Sequence, residues 1–65
     1  MMNVPRPLMK KGTKVRYSEE VIKKHPLCDN VILTVKFTYH QWVYCRDQMM
    51  NNWCILIDDL QGIDL

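Results

Sequence analysis

A chain of 65 residues, 48% of them hydrophobic and with a formal net charge of +2, is one small domain at most. It is too apolar for a disordered segment and too short for the deep pocket that most enzymes use. No apolar run approaches the roughly 20 residues that cross a bilayer. The opening MMNVPRPLMKK has no apolar core of about 7–15 residues such as a signal peptide carries. The three cysteines are an odd number that fits reduced thiols, so a cytoplasmic location is expected.

Residues 1–10 read as an extended arm, because Pro5 and Pro7 each lack the N–H that a regular central strand needs. The folded domain is expected over residues 11–65. Gly12 supplies a turn before a first strand, KVRY, with Val15 and Tyr17 on one face and Lys14 and Arg16 on the other. Ser18-Glu19-Glu20 is a helix-start signal: a hydroxyl cap followed by two carboxylates at the positive end of the dipole. Pro26 stops that helix within two turns and pushes His25 toward extended geometry.

VILTVKF alternates Val31, Leu33, Val35 and Phe37 against Ile32, Thr34, Lys36 and Thr38, the clearest strand in the chain. A tight connection over Thr38 to His40 leads into WVYCRD. MMNN then turns the chain, with Asn51 and Asn52 suited to left-handed backbone angles. The tail predicts a single helical turn at Asp58 to Leu60, a glycine, and a short closing strand.

Folding Gln41 to Asp58 symmetrically about MMNN sets Cys45 opposite Cys54, Tyr44 opposite Ile55, Val43 opposite Leu56 and Arg46 opposite Trp53. One face of the hairpin then holds Val43, Cys45, Cys54 and Leu56, and the other holds Trp42, Tyr44, Arg46, Trp53, Ile55 and Ile57. Both are apolar, whereas a half-exposed antiparallel hairpin is polar on its outer side. Either the rest of a small barrel covers the second face, or that face meets another molecule.

The order of elements, KGTKVRY, a ten-odd-residue excursion, VILTVKF, WVYCRD, WCILIDDL and a terminal GID, resembles SH3-like small β-barrels over about residues 11–64. The resemblance implies a mainly β, five-stranded barrel with a short helix or long loop after the first strand. The A-L-Y-D-Y motif of signalling SH3 domains is missing, so their proline-rich ligands are not implied. The V-Q-I-Y strand of the plasmid-borne dihydrofolate reductases is missing too; C-I-L-I stands nearest to it. Small size and a high share of Lys, Asn and Met look like small phage or mobile-element proteins.

For function, catalysis has little to stand on. His25 and Cys28 are close in sequence, but nothing completes a triad, and Cys45 and Cys54 are mid-strand thiols. The same four residues have zinc-ligand chemistry, yet single strand-borne cysteines lack the tight knuckle of most zinc sites, and neither a metal nor a cofactor is expected. The leading expectation is a non-enzymatic interaction module, of the kind a phage inhibitor or adaptor would be. It binds a protein partner or a second copy of itself through Trp42, Tyr44, Arg46, Trp53 and Ile55, which combine residue types enriched at binding hot spots. The alternative is a nucleic-acid-binding small barrel. Residues 1–36 carry eight Lys and Arg against three acids, while residues 37–65 carry one against four. Lys10, Lys11, Lys14, Arg16, Lys23 and Lys24 would bind phosphate beside Tyr17, Tyr39 and Trp42. No membrane or small-molecule substrate is implied.

Overall fold

The computed structural model describes residues 10–63. The expected N-terminal arm therefore lies, apart from Lys10, outside the described residues. Five strands, β1 (Lys14–Tyr17), β2 (Leu33–Tyr39), β3 (Trp42–Arg46), β4 (Asn52–Leu56) and β5 (Leu60–Gly62), alternate with one helix, α1 (Glu19–Lys24), and two 3-10 turns at Pro26–Cys28 and Ile57–Asp59. They form one antiparallel sheet in the order β4-β3-β2-β1-β5. The mainly β class, the strand count and the short helix after the first strand are as the sequence predicts. The closing strand includes its glycine, Gly62, instead of starting after it.

Local chemistry explains most of these elements. At the start of α1 the Ser18 hydroxyl accepts the Val21 N–H at 3.4 Å, and both acidic residues lie in the first turn with Lys23 and Lys24 in the last. Six residues cannot hold a helix alone in water; the Ser18 N–H, donated to the Asp59 carbonyl at 2.8 Å, ties the helix start to the far end of the chain. His25 leaves the helical region, at φ −137° and ψ 80°, and Pro26 opens the next 3-10 turn.

The core consists of Val15, Leu33, Val35, Val43, Cys45, Ile55 and Leu60, with Tyr17, Val31 and Ile57 packed against it. Val15 and Tyr17 share the inward side of β1, as alternation requires. Gln48 clasps the turn after β3 to the chain before β2: its side-chain amide accepts from Ile32 N–H at 3.1 Å and donates to the Asn30 carbonyl at 3.2 Å.

Two one-residue irregularities decide what faces outward. The first is the loop between β3 and β4. It contains the five residues 47–51 and centres on Met49, so the pairs are Val43 with Ile55, Tyr44 with Cys54, Cys45 with Trp53 and Arg46 with Asn52. The symmetric pairing of Cys45 with Cys54 is thereby corrected by one residue, and such a slip exchanges the faces of one strand relative to its neighbour. Asp47 causes it. Its carboxylate accepts the N–H groups of Met49 at 2.8 Å and Asn51 at 2.9 Å, which draws Asp47 out of the strand and into the turn. The left-handed residue is Met50, at φ 69°, and not either asparagine expected there.

The second irregularity is a bulge at Lys36. Val35 pairs with Cys45, but Phe37 pairs with Tyr44, so one residue is skipped. Both backbone groups of Val35 are held on the opposite side, where its carbonyl accepts from Gly12 N–H at 2.8 Å and its N–H donates to the Thr13 carbonyl at 2.9 Å. The bulge reverses the alternation, and Phe37, which the pattern aligns with Leu33 and Val35, turns outward instead.

Candidate functional site: the outer face of the sheet

The bulge and the odd-membered loop together collect the aromatic residues of β2 and β3 on the side of the sheet away from the core. Three rows cross that side. The first runs in register from Lys14 on β1 through Thr34 and Arg46 to Asn52 on β4. The second is Phe37, Tyr44 and Cys54; the third is Tyr39, Trp42 and Leu56. Phe37 is 53% exposed, Tyr39 61%, Trp42 39% and Leu56 36%. A neighbouring row two residues along a strand lies about 6.6 Å away, so the three rows make a continuous platform.

The rings are ordered against one another. Phe37 and Tyr44 stack with centroids 4.5 Å apart and planes 15° from parallel. His40 meets Tyr39 edge-on at 4.3 Å, from the first position of the two-residue β2–β3 turn, where its φ is 54°. Such offset and edge-on contacts stabilise by about 0.5–1.5 kcal/mol each beyond the area they cover. Tyr44 lies beside Cys54 across the strand pair. Its phenol is held above the usual range, chiefly by a hydrogen bond with the Cys54 thiol, and stays protonated at neutral pH.

The first row is cationic. Lys14 Nζ donates to Thr34 Oγ1 at 2.7 Å. Arg46 Nε and Lys36 Nζ reach the same oxygen, Asn52 Oδ1, at 3.2 and 3.5 Å. Lys11, Lys36 and Arg46 line one cleft of about 330 Å³ with Gly12, Thr34, Val35 and Asp47. Asp47 is the one carboxylate in that lining, and it is occupied: Trp53 Nε1 donates to it at 2.8 Å in addition to the turn N–H groups. The indole bond first, then the Asn51 backbone bond, hold its carboxyl below the ordinary range.

The expected partner surface of Trp42, Tyr44, Arg46, Trp53 and Ile55 is therefore divided. Trp42, Tyr44 and Arg46 lie together on the outer face. Ile55 is only 9% exposed and belongs to the core, and Trp53 pairs with Cys45 on the core side, where it covers the rim and is 48% exposed. Phe37, Tyr39, Cys54 and Leu56 take their places outside. Only Asp47 could have signalled this in the sequence, as an aspartate poised to cap a turn; nothing in VILTVKF marks the bulge.

Of the basic residues, Lys14 and Arg16 share the outer side of β1. Lys11 joins Lys36 and Arg46 in the cleft. Arg16 lines a separate cleft that also contains Asp29. Lys10 is exposed before the Gly12 turn, and Lys23 and Lys24 sit in the last turn of α1. Lys36 and Arg46, the two cations nearest the aromatic rows, are absent from the basic set to which the sequence assigns phosphate.

The four residues with zinc-ligand chemistry are not assembled. The register puts Cys45 in the core and Cys54 outside, and no cluster of three or more potential metal ligands occurs among the described residues. Burial pushes the Cys45 thiol up to about 11. No described helix is long and apolar enough to cross a membrane. No family model, curated protein or solved structure matches the chain.

Proposed function

We propose that this chain is a non-enzymatic interaction module of the SH3-like kind, and that it holds a macromolecular partner on the outer face of β2, β3 and β4. The observation that carries the reading is the pair of rows Phe37–Tyr44 and Tyr39–Trp42, four rings on one face with three of them 39–61% exposed. Exposed rings contribute little to folding, yet large rigid side chains of this type supply most of the energy at binding surfaces. The strand order β4-β3-β2-β1-β5 supports the SH3-like part.

Two further observations favour binding over catalysis. The buried thiol of Cys45 is a poor nucleophile at pH 7, since burial disfavours its thiolate. The carboxylate of Asp47 is taken up by Trp53 and its own turn. Of the basic set expected from the sequence, Lys14 lies in the outward row beside the rings and Lys11 lines the adjoining cleft, where Lys36 and Arg46 add two cations outside that set.

The test uses a variant that removes the surface and spares the core. Tyr39→Ser with Trp42→Ser should keep the wild-type circular dichroism spectrum and lose partner binding, read as retention of host macromolecules by the immobilised chain and as self-association in sedimentation. Equal retention and equal sedimentation of variant and wild type overturn the proposal.

A further inference from the structure

We infer that the partner of the outer face is single-stranded nucleic acid, its bases stacked on the aromatic rows and its phosphates held by the cationic row. This rests on the reading of that face as the docking surface and adds the class of ligand. Three features select it.

The first is charge placed beside stacking surface. Arg46 is the next outward residue to Tyr44 on β3, Lys36 Nζ reaches Asn52 Oδ1 beside it, Lys14 stands in the same row on β1, and Lys11 adds a fourth cation through the shared cleft. The one carboxylate lining that cleft, Asp47, is outnumbered there by Lys11, Lys36 and Arg46, so the cleft keeps a net positive charge. A protein partner would need acidic groups opposite every one of these cations. A polyanion supplies them at each repeat.

The second is spacing. Successive rows along β3, at Arg46, Tyr44 and Trp42, are about 6.6 Å apart, comparable to the repeat of an extended single strand. A strand laid along β3 from Arg46 toward Trp42 meets the cations first, then Tyr44 with Phe37, then Trp42 with Tyr39. Flat rings on a sheet and a basic groove beside them are the two components that bind single strands with little sequence preference.

The third is the poor fit of this face to a duplex. Paired bases present only edges, which are read by a helix or ribbon that enters a groove. The one described helix, α1, has six residues and lies on a different part of the chain from the aromatic rows. Unpaired bases fit the platform.

The experiment titrates the full chain with fluorescently labelled oligothymidylate and oligouridylate, and with a DNA duplex of equal length, tracking anisotropy and tryptophan quenching at several salt concentrations. The expected result is saturable binding of a single strand that exceeds binding of the duplex. Tyr44→Ala or Trp42→Ala should weaken it about 5- to 150-fold, the range for one lost base–aromatic stack. Phe37→Tyr should retain it. Neutralised phosphates contribute about 0.7 each to the slope of log affinity against log salt, so Lys36→Ala and Arg46→Ala should each lower that slope by about that amount.

Absence of single-strand binding at low salt, or a duplex bound equally well, overturns the inference. If, in that event, self-association or host-partner binding is still lost in the Tyr39→Ser/Trp42→Ser variant, the outer face remains the docking surface and only the ligand class fails. Single-strand binding that survives both Trp42→Ala and Tyr44→Ala overturns the inference and the docking surface together.

Discussion

Ile55 and Leu56 are neighbours in sequence with similar side chains, and the register of one hairpin decides which of them holds the fold together. Symmetric folding about MMNN puts Leu56 with Val43 and Cys45; the observed pairing puts Ile55 there, 9% exposed, and leaves Leu56 36% exposed. Truncating Ile55 to Ala removes three buried carbons, at about 0.8 kcal/mol each for lost burial. The cavity left in a core of seven buried residues raises the total to about 3–4 kcal/mol. Leu56→Ala removes the same number of carbons from a side chain one-third open to water, and leaves no closed cavity, so it costs about 1–1.5 kcal/mol. Typical stabilities of 0.05–0.15 kcal/mol per residue put a chain of this size at roughly 3–10 kcal/mol in total. Ile55→Ala is therefore close to unfolding it. Urea titration read by circular dichroism compares both variants, and the midpoint shift at constant slope gives the difference. If Leu56→Ala costs as much as Ile55→Ala or more, the five-residue loop and the outer face built on it are both wrong.

Gly12, the three cysteines and Asp47 are each open to a direct test. Gly12 sits at φ +90° with open space where a Cβ would go, so Gly12→Ala should lose about 1–2 kcal/mol from backbone strain alone; a urea midpoint equal to wild type would show that the positive φ is not required. A thiol-reactive aromatic disulfide at neutral pH should label exposed Cys54 first and half-buried Cys28 next, and should reach Cys45, whose thiol burial pushes up to about 11, only after denaturation. Labelling of Cys45 in the folded chain at the rate of Cys54 would contradict its placement. Asp47 has a lowered folded pKa, so the stability it lends the turn is fully present above the ordinary aspartate value of about 3.9 and is lost as pH falls through the lower, folded one. The Trp53 indole N–H resonance should track that titration while the Trp42 resonance stays still; a Trp53 signal that titrates at or above the ordinary value refutes the hydrogen bond.

The parts of the fold legible in the sequence are those that local chemistry controls. Ser18 with its two glutamates starts α1, and Pro26 keeps the helix from running past His25, because caps and missing donors act within a turn. The two faces of β1 are legible because alternation holds over four residues with nothing to interrupt it. The hairpin register and the bulge are not, because each is a matter of a single residue. Asp47 leaves the strand to accept from Met49 and Asn51 in its own turn and from Trp53 across the hairpin, a choice that symmetric pairing about MMNN does not contain. Lys36 is skipped while Val35 bonds to Gly12 and Thr13, more than twenty positions earlier. The candidate binding residues inherit both shifts. Alternation along β3 makes Trp42, Tyr44 and Arg46 outward neighbours, as observed, but symmetric pairing carries Trp53 and Ile55 to the wrong side, and unbroken alternation along β2 assigns Phe37 to the core.

These two single-residue shifts also give the outer face its meaning. Without the bulge, Phe37 and Tyr39 would continue the inward alternation of Leu33 and Val35, and the face opposite the core would carry one aromatic strand, β3, beside Thr38 and Lys36. With it, four rings and three cations share one surface. Phe37, 53% exposed, forgoes about half of the roughly 1.5–3 kcal/mol that full burial would contribute. The bulge itself leaves a residue unpaired in the ladder. A domain with so small a core has a narrow margin of stability, and threonine at the same outward positions would satisfy the strand equally well. The arrangement is thus unfavourable for folding alone, which is the cost that the proposed docking of a partner on this face would offset.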